Sequence, residues 1–219
     1  MSQTIAYMSP EWFEIRRGKV TASKFGDILT SPKSPRESEE LARVFGIEPG
    51  WSATAFAYAL DIVLSKYGEP EDGSEYRSPE MQWGIDHEPA AREAYELRTF
   101  QKVTEPGFIL KPGTIIGCTP DGHVGSKGGL EIKCPKSAKH IQIVMSKAIP
   151  VYWWPQIQGC LWITGRDWWD FASYDPRMPK DKKLVVIRAM RDERFISSMS
   201  LRVIAFLKML EQLDRKVNG

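Results

Sequence analysis

The stretch from Gly117 to Pro135, GCTPDGHVGSKGGLEIKCP, restricts the fold more than any other part of this chain. Side chains along a strand alternate between faces, so residues two apart share one. Thr114 to Val124 reads as a strand with Thr119, Asp121 and His123 on one face. Gly125-Ser126-Lys127-Gly128-Gly129 supplies a turn, and the chain returns as a second strand. On that strand Glu131 and Lys133 share a face, while Leu130 and Ile132 point the other way, into a core. A hairpin of this register makes Asp121, Glu131 and Lys133 converge.

Two carboxylates and a lysine on neighbouring strands can hold magnesium beside a phosphate and activate water. Magnesium takes hard oxygen ligands, usually one or two carboxylates completed by waters and phosphate oxygens. Two such ions can clamp the attacking and leaving oxygens of an in-line displacement at phosphorus. A lysine beside them can orient or deprotonate the water and offset charge building on the phosphate. The carboxylates favour its charged form, so Lys133 is expected to act as a base only with metal bound. Singly, each residue has a plainer reading: Asp121 as a turn former, Glu131 with Lys133 as a surface ion pair.

Around this hairpin the remaining chain reads as helices and a few strands. Thr30 to Glu40 is polar and proline-rich, a surface loop leading to a helix capped near Ser38. Trp51 to Tyr67 reads as a helix ending before Gly68, and Ser78 or Pro79 to about Arg98 as a long one. Strands are expected between Gly107 and Lys133, then at Trp168 to Tyr174 and Leu184 to Met190. Val151 to Ile163 reads as a helix rich in tryptophan and glutamine. Arg191 to Val217 is a final helix whose apolar stripe includes Phe195, Met199, Leu207 and Leu210. The pattern predicts an α/β fold, a mixed central β-sheet flanked by α-helices. With 219 residues, 42% of them hydrophobic, a single domain over residues 1–219 can bury a core.

Several blocks, in order, carry a family resemblance. They are WFEIRRGKVTAS (Trp12 to Ser23), WGIDHEPAAREAYE (Trp83 to Glu96), TPDG…GLEIKCP (Thr119 to Pro135), PQIQGCLWITG (Pro155 to Gly165) and FASYDPRM (Phe171 to Met178). The chain resembles the PD-(D/E)xK nuclease superfamily and, within it, the phage lambda exonuclease family, also called the YqaJ or viral recombinase type. The resemblance implies a restriction-endonuclease-like core. It also implies a Mg²⁺-dependent 5′→3′ exonuclease that digests one strand of linear duplex DNA, releases 5′-mononucleotides and leaves a 3′ single-stranded tail. Two Mg²⁺ ions per site are expected, with Mn²⁺ as a substitute.

By the same resemblance Asp121 and Glu131 bind metal, together with the Ile132 carbonyl oxygen, and Glu88 serves a second metal or water on it. Lys133 activates water. Gln156 and Gln158, two apart, face different sides of their helix, and the family motif favours Gln156 as the one that assists. Thr21 or Ser23 can cap a helix beginning near Ala22, whose free N–H groups would attract an anion. In the family this block forms a pocket for the terminal 5′-phosphate, where Arg16 and Ser23 occupy the matching positions and Thr119 a hydroxyl-bearing one; Thr21, from its place in the block, is a further candidate for the same pocket. Arg17 replaces an apolar residue there, which leaves open which arginine faces the pocket. Trp153, Trp154 and Trp162 are read as core residues.

The implied partners are duplex DNA ends, a ring-shaped homotrimer and a single-strand annealing protein, in the cytoplasm of a bacterial host that carries a phage or prophage. A net charge of +2 is compatible with DNA binding if the cations cluster. Three cysteines (Cys118, Cys134, Cys160) give no disulfide framework and suit a reducing compartment. Met1 to Thr4 shows no basic region followed by an apolar run, and no stretch reaches the roughly 20 apolar residues of a membrane span. Two rivals remain: a PD-(D/E)xK endonuclease, and a non-catalytic DNA-end clamp or recombinase-loading scaffold.

Overall fold

The structure, a computed structural model, describes residues 9–67 and 78–219. The expected helix stop at Gly68 lies outside them. The described chain begins with helix α1 (Pro10–Arg16), strand β1 (Val20–Thr21) and a single 3-10 turn (Ala22–Lys24). Helices α2 (Phe25–Leu29), α3 (Pro35–Phe45), α4 (Ala53–Leu64) and α5 (Pro79–Thr99) follow. Serines at the position before each of α3, α4 and α5 accept a backbone N–H of the first turn, with Pro35 and Pro79 opening two of them. The cap of α3 is therefore Ser34, not Ser38, whose hydroxyl instead accepts the Gly50 N–H from a loop.

The long strand expected from Thr114 to Val124 is two strands. Strand β4 (Ile116–Cys118) joins β1 and β3 (Ile109–Leu110) in a three-stranded sheet of order β1-β4-β3. Strand β5 (Gly122–Val124) belongs to a five-stranded sheet of order β2-β5-β6-β7-β8. Its other members are β2 (Val103–Thr104), β6 (Gly128–Lys133), β7 (Trp168–Tyr174) and β8 (Leu184–Met190). Pro120 sits at the break, and a proline cannot donate to a ladder. The link Thr119-Pro120-Asp121 thus carries the chain from one sheet to the other, which places Asp121 at the entry of β5, where the chain passes between the sheets.

The turn of the β5–β6 hairpin is Gly125-Ser126-Lys127, shorter than its sequence suggests, because Gly128 and Gly129 already pair with Val124 and His123. They are glycines for a packing reason. A Cβ on Gly128 would meet the Trp168 ring at 2.1 Å, and one on Gly129 the Trp169 ring at 2.2 Å. Trp169 is fully buried, so it cannot swing aside. Gly129→Ala is expected to cost about 1–3 kcal/mol by overpacking, read as a lowered urea midpoint with unchanged slope.

Strand β6 runs parallel to β7, with Glu131 opposite Phe171 and Lys133 opposite Ser173. A parallel pair needs a crossover, supplied by α6 (Ser137–Ser146), a 3-10 turn (Val151–Trp153) and α7 (Trp154–Thr164). Helix α6 has no clear signal in the sequence. It is tied down by buried His140, whose Nε2 lies 2.7 Å from the Lys182 carbonyl and Nδ1 2.8 Å from the Ser173 hydroxyl. The carbonyl can only accept, so Nε2 carries the proton and Ser173 donates to Nδ1.

Helix α8 (Glu193–Asn218) packs with α2, α4 and α7 in the main core, which includes Trp169, Phe171 and Ala189 of the five-stranded sheet. Trp153, Trp154 and Trp162 pack partly buried against it. A smaller core joins Leu130 and Ile132 to Ala91 and Tyr95 of α5. Strand β6 is therefore covered on both faces, and Glu131 is only 1% exposed.

Candidate active site

A charge on a strand covered on both sides must be paired where it stands. Glu131 Oε1 receives Lys133 Nζ at 2.6 Å and the Gln156 amide at 2.5 Å. Its Oε2 is buried with no hydrogen-bond partner. Gln156 reaches Glu131 because α7 crosses the sheet, whereas Gln158 is buried on the helix's other side, bonded to the Met190 carbonyl and the Asp192 N–H. Asp121, at the start of β5, accepts the Ile132 N–H at 2.6 Å, so the hairpin itself holds this carboxylate beside β6.

Glu88 comes to the same place from α5 and is held by Arg92 at 2.6 Å, which also binds Glu105. Burial pushes the Glu88 carboxyl up, Arg92 opposes this, and the Glu131 charge adds to the rise. Burial likewise drives the Asp121 carboxyl well above the usual range, reinforced by Glu131 and Glu88 and countered by Lys133 and the Ile132 N–H. Three acids thus crowd one another. Among the described residues no three His, Cys, Asp or Glu side chains are grouped as a ready-made metal cage. The donor set still suits a hard divalent ion: carboxylate oxygens in excess of cations, and one buried carboxylate oxygen left unsatisfied.

The second cluster predicted from sequence also assembles. Arg16 donates to the Thr119 hydroxyl at 3.0 Å and to the Thr21 hydroxyl at 3.4 Å, and Thr21 and Ser23 hydroxyls lie 3.1 Å apart. The Arg16 guanidinium stacks on Trp12 at 4.1 Å. Arg17 turns away to pair with Glu14. The helix-start part of the expectation is corrected. Neither Thr21 nor Ser23 caps a helix: Thr21 precedes a single 3-10 turn without a side-chain capping bond, and its N–H goes to the Tyr58 hydroxyl. The cluster offers an arginine and hydroxyls, not a helix terminus. Only Pro120 separates Thr119 from Asp121, so the two clusters are adjacent.

Asp121, Ile132, Lys133 and Glu88 line a cleft of about 1070 Å³. Its wall also contains Trp83, Lys139, Trp153 and Arg177. Trp153 is therefore both a core neighbour and a cleft residue. Sequence reasoning gave Arg177 no role, although Asp175-Pro176-Arg177 lies within a block that carries the resemblance. The signal was the acid-x-arginine spacing, which here makes a two-pronged pair with Nε and Nη2 at 2.7 and 3.0 Å from the Asp175 oxygens.

The profile of the family described as YqaJ-like viral recombinase domain matches residues 11–167, about seven-tenths of the chain, and so spans every residue of the two clusters but not Asp175 or Arg177. Among solved structures, an alkaline exonuclease (LHK-Exo) from Laribacter hongkongensis is 33% identical, with a TM-score of 0.80 over 96% of both chains. The same protein in complex with dAMP is also 33% identical, with a TM-score of 0.79 over 95% of this chain and 96% of that one. A phage related exonuclease from Haemophilus somnus 129PT, 18% identical, has the same fold, with a TM-score of 0.66 over 91% of this chain and 96% of that one. The fold is restriction-endonuclease-like, and the chain belongs to the YqaJ-like viral recombinase family.

Proposed function

We propose that this protein is a Mg²⁺-dependent exonuclease that digests one strand of linear duplex DNA 5′→3′, releasing 5′-mononucleotides and leaving a 3′ single-stranded tail. The observation that carries this reading is the adjacency of the two clusters. An arginine-hydroxyl pocket suited to a phosphate stands one residue from an acid-lysine centre suited to cutting a phosphodiester. Similarity to LHK-Exo, an alkaline exonuclease also seen with dAMP, supports it.

Arg16, with the hydroxyls of Thr119, Thr21 and Ser23, grips the terminal 5′-phosphate. Asp121, Glu131 and the Ile132 carbonyl would hold a divalent ion, with Glu88 serving a second. Bound there, Mg²⁺ supplies Lewis-acid activation of water and offsets charge on the phosphate. Mn²⁺ is the proposed substitute. Lys133 and Gln156 orient the attacking water, and Lys133 takes its proton. Water adds to the next phosphorus and the bond to the 3′-oxygen breaks, that oxygen taking a proton from solvent. The product is a 5′-mononucleotide with a 3′-hydroxyl, and the shortened strand again begins with a 5′-phosphate. That new phosphate fits the Arg16 pocket, which draws the strand forward without another fuel. A homotrimeric ring, an annealing-protein partner and action in a bacterial cytoplasm belong to the same proposal and rest on family membership.

The test is digestion in Mg²⁺ of linear duplex with 5′-phosphate or 5′-hydroxyl ends, beside closed circular DNA. Faster loss of the phosphorylated linear DNA with circles intact supports the reading. Nicked circles would mean an endonuclease, and binding without products a scaffold. Arg16→Ala is expected to slow digestion of 5′-phosphorylated ends by about 10- to 100-fold, the worth of one charged hydrogen bond. It should leave 5′-hydroxyl ends almost unaffected.

A further inference from the structure

The cleft is larger than the catalytic residues need. Its roughly 1070 Å³ stands at the upper end of the about 300–1,000 Å³ of a pocket for one drug-sized ligand, and its lining runs past the acids. Cations line the wall beyond the acids: Lys136, Lys139 and Arg177. Lys139 sits over the Tyr152 and Trp153 rings at 4.1 and 4.9 Å, on the helix that His140 pins in place.

Arg177 is mounted more firmly than a surface arginine. Asp175, which is fully buried, takes its Nε, its Nη2 and its backbone N–H. The guanidinium carbon lies 4.3 Å over the Trp83 ring. Trp83 is also stacked on His87 at 3.7 Å, so it is not a free platform for a base. Yet the Arg177 side chain is 47% exposed to the cleft and solvent. Nη1, with two N–H donors, makes no hydrogen bond among the described residues. A planar fork already stripped of rotamer freedom, with one edge open, matches phosphate oxygens.

We propose that Arg177 is a substrate-binding residue that grips a backbone phosphate of the DNA strand lying in the cleft, and so adds to the hold on that strand equally before and during cutting. The proposal deepens the nuclease reading and rests on it. Asp175 and Trp83 aim the guanidinium. Lys139 adds positive potential along the same wall.

Binding and cutting are measured separately, so that each idea can fail alone. Duplex with a 5′-phosphate is titrated without divalent metal at several salt concentrations, using wild type and Arg177→Gln. Each phosphate contact contributes about −0.9 to the slope of log affinity against log salt, so the variant's slope should be less steep by about 1. With Mg²⁺, KM should rise about tenfold with kcat within about twofold, the pattern of lost uniform binding. Equal slopes and equal KM overturn the proposal, because a purely structural Asp175–Arg177 pair would move neither. A wild type that never cuts but shows the Arg177-dependent slope removes the nuclease reading and leaves the phosphate contact standing. If Arg177→Gln melts early because Asp175 is stranded, Asp175→Asn with Arg177→Gln keeps an amide pair without buried charge, and the same slope and KM decide.

Discussion

Lys133→Ala is expected to lower the rate of duplex digestion by about 10²–10⁴-fold, the usual contribution of a positioned proton-transfer group, while affinity for DNA ends stays within a few-fold. Lys133 is the cation in contact with Glu131 Oε1, and it lines the cleft where Asp121 and Glu88 also stand. No other group in the described site combines those positions. Binding survives because the Arg16 pocket and the cationic wall are untouched. Lys133→Gln separates chemistry from folding, since it keeps a donor for Glu131 but no ammonium. Both variants should lose turnover, and Lys133→Gln should keep the melting curve close to wild type. Digestion at near-wild-type rate by either one would remove Lys133 from the mechanism.

The largest stability effect is expected away from the site, at Arg188→Ala. Asp170, 1% exposed on β7, is held by Arg188 through two bonds of 2.8 Å and by the Tyr95 hydroxyl at 2.7 Å. Burial, then the bond to Asp170, pushes the Tyr95 phenol upward, so it stays a neutral donor. Removing Arg188 strands a carboxylate between α5 and the sheet, at a cost of about 3–5 kcal/mol. For a chain of this length that is a drop of roughly 10 °C in Tm. Adding Asp170→Asn should recover much of the loss, because a neutral amide still accepts the Tyr95 hydroxyl and leaves no uncompensated charge. A melting point within 2 or 3 °C of wild type, a shift worth about 1 kcal/mol, would show that the triad does not hold α5 to the sheet.

Much of the fold was legible because its signals are local. Strands β7 and β8 begin and end where their apolar runs do, and α5 starts at its Ser-Pro-Glu signal. The exceptions are long-range. Thr114 to Val124 alternates like one strand, but Pro120 ends pairing: the second half stays with its hairpin partner β6, while the first half joins β1, far away in sequence. Gly128 and Gly129 look like turn residues until Trp168 and Trp169 come to lie against them. Helix α6 is weakly marked and is held by His140 bonding to residues more than thirty positions downstream.

The candidate site divides along the same line. Spacing alone puts Glu131 beside Lys133 and lets a Gly-rich turn return them to Asp121, since period-two alternation and a hairpin are short-range rules. Whether Gln156 or Gln158 points inward, and Arg16 or Arg17, was open until packing chose. The helix crossing the sheet directs Gln156 to Glu131, and α1 directs Arg16 to Thr119 and Thr21. The mount of Arg177 on Trp83 joins residues more than ninety positions apart, a contact that no local pattern encodes. Backbone periodicity can state which side chains share a face; only the burial of apolar surface between distant segments decides which faces meet.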